Sequence, residues 1–147
     1  MPTYPALNTQ VIGQAESALG AILDPLLAHA GTTFHQWLVL NLTAASGAAT
    51  GRGQLIARIT GARKIEGSAV QAAMAELGAM GLLEPLPGDR SHVRLTDAGQ
   101  ARYRQIRTAI DEITARLYRD LPAEDLATAG RVLTIITGRA NAELAGA

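Results

Sequence analysis

The sequence has 147 residues, which is enough for one hydrophobic core and predicts a single domain. It has no cysteine, which excludes disulfides and cysteine-ligated metals, and only five aromatic residues, which disfavours a β-rich fold. The net charge is zero, but residues 50–107 carry nine basic and five acidic residues, while 1–49 and 108–147 each carry −2. The basic middle predicts an anionic partner, and the alternative is a solvated surface.

Targeting and catalytic signals are missing from the sequence. It has no run of 18 apolar residues and no Lys or Arg before Arg52, so we expect neither a transmembrane helix nor a signal peptide, and a cytoplasmic location. The three histidines are not at metal-ligand spacing, and no nucleophile has an activating neighbour. We therefore expect no enzyme activity, no metal and no other cofactor.

The first third of the chain has helical spacing of apolar residues. One helix is predicted from Thr9 to about Ala30, with a kink or break at Pro25 and an end at Gly31. A second helix is predicted over 32–46, with Thr32 or Thr33 as its N-cap, and a third, short one over 52–60, capped by Thr50.

The middle of the chain predicts a turn over 61–67, a fourth helix over 68–80 and a hairpin. The hairpin has strands at 82–86 and 92–95, and because Pro85 removes a ladder donor it should have two strands only. A long fifth helix is predicted from a Thr96 cap to about Leu121, and a sixth follows Pro122.

This order of elements predicts a mainly α fold, a winged helix-turn-helix with a two-stranded wing. The winged helix-turn-helix should span about 32–107, with dimerisation helices over about 9–31 and 108–147, all within one domain of residues 1–147. Amphipathic helices at both ends need a second copy to bury them, and a two-fold homodimer suits a pseudo-palindromic site in double-stranded DNA.

The stretch LLEPLPGDRSHVRLTDAGQARY (82–103) resembles the MarR family of bacterial transcription regulators. The shared features are Gly81-Leu82 at a helix end, Asp89-Arg90 on the wing and the Leu95-Thr96-x-x-Gly99 junction. Residues 26–40 and 120–133 resemble the family as well, so the similarity extends from about Thr9 to Leu144. Two departures fall on the DNA-reading part: a turn between helices three and four about four residues longer, and a wing about two residues shorter.

The DNA-binding candidates follow from this arrangement. The resemblance places Arg90 on the wing, where a guanidinium suits a narrow minor groove, and Gln71 on the recognition helix can pair with adenine. The alternatives are a structural Asp89–Arg90 pair and an alanine-rich packing face. The candidate set is Arg52, Gln54, Arg63, Lys64, Ser68, Gln71, Ala72, Arg90 and Arg94.

The resemblance also implies a pocket for a small aromatic or anionic effector. Its candidate lining residues are His35, Trp37, Asn41 and Arg107, with Trp37 for stacking and Arg107 for an anion. The alternative for Trp37 is a place in the core. The implied function is a homodimeric DNA-binding regulator, a repressor released by a small molecule and not associated with a membrane. The alternative is a dimer of this fold that binds ligands or proteins and has weak or lost DNA binding.

Overall fold

The computed structural model describes residues 3–146, over which the chain forms six helices and three short strands. In chain order these are α1 Thr9–His29, α2 Phe34–Ala45, β1 Thr50–Gly51, α3 Arg52–Arg63, α4 Gly67–Ala79, β2 Leu83–Leu86, β3 Asp89–Leu95, α5 Asp97–Leu117 and α6 Ala123–Gly146. The predicted winged helix-turn-helix, mainly α, is confirmed. Two compact units divide at Asp111 and Glu112, within α5.

Helix α1 continues through Pro25, so of the kink or break predicted there, the break is wrong. The Asn8 side chain caps its start by accepting from the Val11 N–H at 2.8 Å. Proline removes one helical donor, at a cost of about 3 kcal/mol, and burial of Leu27 in the core next to Pro25 offsets this loss. By length and composition alone α1 is apolar enough to cross a membrane, with a mean hydropathy of 1.2. This is weak evidence for a membrane span, and α1 also supplies Leu27 to the core.

The corner between α1 and α2 is built as predicted around Gly31. This glycine has φ +65°, and the N–H groups of Gly31 and Thr32 bond back to the carbonyls of Ala28 and Leu27 at 3.0 and 2.9 Å. Such bonds close the end of a helix in the Schellman arrangement. Thr33 then caps α2 in a reciprocal capping box with Gln36.

Helix α3 extends three residues beyond its prediction, so the segment from Gly61 to Arg63 is helical and not a turn. The connection to α4 shrinks to three residues, where Lys64 has φ 56°. The first residues of the predicted long turn therefore belong to α3. The predicted Thr50 cap is also wrong: Gly51 is the N-cap, and Thr50 belongs to a strand.

The sheet has three strands in the order β1-β3-β2, so the prediction of a two-stranded wing missed β1. Thr50 lies opposite Val93, while Glu84 lies opposite Arg94 on the other side of β3. A strand of two residues is too short to produce an alternating pattern, which is why the sequence does not reveal it. The pairing fixes the base of the wing to the start of α3.

The first turn of α5 docks closely on the end of α4. Thr96 accepts the Gly99 N–H at 3.0 Å, as a cap does, and its hydroxyl donates to the Gly81 carbonyl at 2.6 Å. A Cβ on Gly99 would lie 2.0 Å from the Leu82 carbonyl oxygen, so only glycine fits at this position. The helix ends at Leu117, four residues before its predicted end, and Asp120 follows with φ 63°.

The core of the first unit is formed by α1 to α5 and the sheet. Its fully buried side chains include Leu27, Leu40, Leu55, Leu77, Val93 and Ile106. Helix α6, in the second unit, has no buried residue. Its Leu133, Ile136 and Leu144 are between 38% and 61% exposed, which leaves an apolar face without cover in a single chain.

Candidate nucleic-acid interface

Helix α4 has the two-sided character of a recognition helix. Val70, Met74 and Leu77 are buried against the core together with Ala73. The predicted base-reading residues Ser68, Gln71 and Ala72 are all exposed on the remaining surface. Spacings of three and four residues place them on one side of the helix, near its N-terminal end. This surface combines one amide, one hydroxyl and small apolar groups.

Arg90 lies on β3, directly after the turn of the wing, and is exposed. Within residues 3–146 no side chain or backbone group engages its guanidinium. The Asp89–Arg90 pair considered above does not form: Asp89 instead accepts from the Ser91 N–H at 3.1 Å and lies 2.8 Å from the His92 ring nitrogen. The Ser91 hydroxyl also bonds to the Asp89 carboxylate. The conformation of the turn of the wing therefore does not depend on the Arg90 side chain.

These contacts also lower the pKa of the Asp89 carboxyl group. Hydrogen bonds from the Ser91 hydroxyl, and then from the Ser91 backbone N–H, lower the pKa of Asp89 below its ordinary value, with a smaller contribution from His92. The ionised form of Asp89 is thus the form that holds the turn of the wing together.

Arg52, predicted as a phosphate contact, has a role that the sequence did not indicate. Its Nε donates to the Arg90 backbone carbonyl at 2.9 Å, which ties the start of α3 to the wing. No spacing rule connects two residues 38 positions apart, so only the sheet that joins β1 to β3 reveals the contact. Gln54, two residues further along α3, is exposed.

The other predicted basic contacts are partly engaged within the chain. The Arg94 Nε forms an ion pair with the Glu84 carboxylate at 2.9 Å across the two strands. The Arg63 guanidinium lies 5.0 Å from the centre of the Phe34 ring, a cation–π distance. Lys64 is exposed, and its amino group donates to the Gly61 carbonyl. Each of these side chains remains at least partly open to solvent.

Among residues 3–146, the four predicted effector residues have different surroundings. Trp37 is 4% exposed and stacks on Tyr103, with ring centres 5.8 Å apart. Arg107 donates twice to the Asp111 carboxylate, at 3.0 and 2.8 Å. His35 is exposed beside the Phe34 ring, and Asn41 is half-buried.

A cavity of about 200 Å³ lies elsewhere in the first unit, between α1 and α5. It is lined by Leu26, His29, Ala30, Gln105, Ile106 and Ala109, and by none of the four predicted residues. Its polar groups are the His29 ring and the Gln105 amide. The sequence offered a signal for this site, since a histidine interrupts the apolar stripe at the end of α1. Residues 3–146 hold no group of three metal-ligating side chains.

Comparison with known proteins agrees with this architecture. A family model described as a helix-turn-helix family matches residues 25–145. Comparison with curated protein sequences gives no match. Among solved structures, NadR in complex with 4-hydroxyphenylacetate is 24% identical with a TM-score of 0.71, over 93% of this chain and 98% of NadR.

Two further structures are similar. A transcriptional regulator of the MarR family from Silicibacter pomeroyi is 19% identical with a TM-score of 0.71, over 88% of this chain and 86% of that one. CouR from Rhodococcus jostii RHA1 bound to p-coumaroyl-CoA is 15% identical with a TM-score of 0.73, over 86% and 89%. The protein belongs to a helix-turn-helix family, and its fold is the winged-helix fold of the MarR-type regulators.

Proposed function

We propose that the protein is a homodimeric DNA-binding transcription regulator of MarR type. The observation that carries this proposal is the wing, where the exposed Arg90 guanidinium has no partner within residues 3–146 while the backbone that presents it is fastened by Arg52. An arginine held in this way is suited to a narrow minor groove. Membership of a helix-turn-helix family and the MarR fold support a DNA-binding regulator.

In this proposal the chain uses two kinds of DNA contact. Ser68, Gln71 and Ala72 face the major groove, where the Gln71 amide pairs with adenine and Ala72 meets a thymine methyl group. Gln54, Arg63 and Lys64, together with Arg52 and Arg94, contact phosphates and fix the register. Arg52 and Arg94 do so with the guanidinium nitrogens that their contacts inside the chain leave over.

The second part of the proposal is a homodimer formed by residues 9–31 and 108–147. Exposed apolar side chains support it, because Leu19 of α1 is 51% exposed and Ile136 of α6 is 40% exposed. A soluble chain seldom leaves such rows uncovered, and a two-fold partner would cover them with the same elements. Two winged helix-turn-helix units (the reading heads of the dimer) related by this symmetry fit a pseudo-palindromic operator. A regulator of this kind acts in the cytoplasm.

The third part of the proposal is that a small aromatic acid releases the protein from DNA. NadR is bound to 4-hydroxyphenylacetate and CouR to p-coumaroyl-CoA in the similar structures. In this chain the cavity between α1 and α5 offers an apolar wall with the His29 ring and Gln105 amide as polar groups. A ligand that prefers the conformation with wrongly spaced reading heads lowers DNA affinity, and the protein then acts as a repressor that the ligand inactivates.

The test is an anisotropy titration with the DNA upstream of the coding sequence at two salt concentrations. We expect tight binding that weakens steeply with salt. Because the dimer carries two copies of Arg90, Arg90→Ala should reduce the slope of log K against log salt by about 1.8. The matched control is Arg58→Ala, which removes the same charge from an exposed residue outside the proposed DNA contacts and the proposed dimer region. It should leave both the affinity and the slope nearly unchanged.

One observation favours the alternative, a dimer of this fold without strong DNA binding. The exposed surface of α4 is rich in alanine, with Ala72, Ala75 and Ala79 beside Gln71, so few groups are available for base readout. Absence of binding at low salt from a folded dimer would support this alternative and contradict the regulator. Thermal stabilisation by 4-hydroxyphenylacetate, lost on Gln105→Ala, would still support the ligand site.

A further inference from the structure

Hydrogen bonds inside the first unit connect α5 with the recognition helix α4. Arg102 of α5 donates to the Thr32 hydroxyl at 3.1 Å and to the Gly31 carbonyl at 3.5 Å. The Thr32 hydroxyl in turn donates to the Ala30 carbonyl at 3.2 Å. Arg102 therefore holds the corner where α1 ends and α2 begins.

The chain of contacts continues from this corner to α4 through one amide. The Gln36 side-chain oxygen accepts from the Thr33 N–H at 3.1 Å, and its nitrogen donates to the Glu76 carboxylate at 3.2 Å. Gln36 and Thr32 are only 6% and 5% exposed. A buried amide with both ends bonded fixes the groups on either side of it, since breaking either bond leaves an unsatisfied polar group.

Glu76 is an unusual residue for its place in α4. It lies one turn from the C-terminal end of the helix, where the helix dipole disfavours a negative charge. It does not belong to the buried face of α4 formed by Val70, Ala73, Met74 and Leu77. The contact that the Glu76 carboxylate makes in the structure is the hydrogen bond from Gln36.

We propose that Gln36 is a positioning residue for DNA recognition, and that Arg102, Thr32, Gln36 and Glu76 form a relay that couples α5 to α4. The relay sets the orientation of α4 on α2, so a shift of α5 at Arg102 changes how α4 meets DNA. This inference rests on the proposed DNA binding. Its physical basis is two sets of polar contacts, Arg102 to Thr32 and Thr33 to Gln36 to Glu76, which the peptide bond between Thr32 and Thr33 joins. A coupling measurement can examine this connection.

The first experiment exchanges the donor and the acceptor of the hydrogen bond between Gln36 of α2 and Glu76 of α4. Gln36→Glu keeps the capping-box acceptor for the Thr33 N–H but places two carboxylates together. We expect it to weaken operator binding roughly ten-fold, within the range for partners in one network. Glu76→Gln keeps an acceptor and should change affinity less than about two-fold. In the double variant the amide introduced at position 76 donates to the carboxylate introduced at position 36, and affinity should return to near wild type.

A matched control is Gln100→Glu, the same chemical change on a half-buried residue of α5 that lies outside the relay and outside the proposed ligand site. It should leave affinity unchanged, so a general effect of negative charge is separated from loss of the bond. If the double variant binds as weakly as Gln36→Glu alone, the positioning role of Gln36 is wrong.

The second experiment tests the connection to α5. Thr32→Val removes the hydroxyl that Arg102 contacts without altering charge, and Thr32→Ser keeps that hydroxyl and should behave as wild type. In a connected relay Thr32→Val and Gln36→Glu together weaken binding less than the product of the two single effects. Multiplicative effects would overturn the coupling.

A readout without DNA keeps this inference separate from the proposed function. Amide hydrogen exchange in the first half of α4 should accelerate in Gln36→Glu and return to the wild-type rate in the double variant. Wild-type protein that binds no DNA would refute the proposed function, while the exchange rates still test the positioning of α4. Unchanged exchange in Gln36→Glu would refute the positioning itself.

Discussion

Replacing Gly99 by alanine should destabilise the protein, although alanine is the better helix former. The added Cβ would lie 2.0 Å from the Leu82 carbonyl oxygen, 3.0 Å from the Leu82 carbonyl carbon and 3.3 Å from the Leu95 Cβ. An unstrained carbon–oxygen contact needs about 3.3 Å, so the start of α5 must move by about 1 Å from Leu82. That movement acts directly on the bond from the Thr96 N–H to the same carbonyl, now 3.1 Å long.

The size of the effect follows from three contributions. Forcing an extra carbon into a packed site costs about 1–3 kcal/mol, and a weakened hydrogen bond costs about 1 kcal/mol. The helix propensity of alanine returns about 1 kcal/mol. We expect Gly99→Ala to lower the free energy of unfolding by about 2 kcal/mol, which moves the urea midpoint down by about 1 M.

The assay is urea unfolding at one fixed protein concentration, because dimerisation makes the midpoint depend on concentration. Gly61→Ala is the matched control, since Gly61 is also helical and a Cβ there would meet nothing within 4 Å. It should stabilise the protein by up to about 1 kcal/mol. If Gly99→Ala is as stable as Gly61→Ala, the close approach to Leu82 does not exist in solution.

Three further outcomes are expected. Thr96→Val removes a helix cap and a bond to the Gly81 carbonyl, so it should cost about 1–2 kcal/mol in the same assay; a neutral result would contradict the cap. Trp37, the single tryptophan, should emit at short wavelength and resist iodide quenching because it is buried on Tyr103; ready quenching would contradict this packing. The pKa of the Asp89 carboxyl, followed by NMR, should lie below the ordinary value of an aspartate, and Ser91→Ala should raise it. Since the folded pKa is the lower one, the support that Asp89 gives to the wing is present at neutral pH and is lost as the pH falls through that value.

The helices could be predicted from the sequence because their apolar residues recur at helical spacing over many turns. The stripe of α2 and the cap at Thr33 illustrate this, since both depend on residues within four positions of one another. Errors arose where distant packing decides the outcome. Pro25 stays in a helix because Leu27 is buried in the core, and α3 continues through Gly61 although glycine disfavours a helix interior.

The candidate site was predictable as a set of positions and not as a set of contacts. Charge and exposure place Arg90 and Gln71 on the surface, and both lie there. The partners of Arg52, Arg94 and Arg107 are set by the sheet register or by a helix turn, and a list of basic residues does not reveal which of them are engaged. Trp37 shows the same limit, because its ring faces Tyr103, a residue 66 positions away.

The first turns of α5 meet two separate corners of the fold. Thr96 bonds to the Gly81 carbonyl at the end of α4, and Arg102 reaches the Gly31 carbonyl at the end of α1. Six positions separate these two side chains, and one inserted residue would rotate the second about 100° around the helix axis relative to the first. Variation in this segment during evolution is therefore restricted in length as well as in residue type. Substitutions between Thr96 and Arg102 at positions other than Gly99 can be absorbed one at a time, whereas an insertion or deletion there would release one corner of the fold.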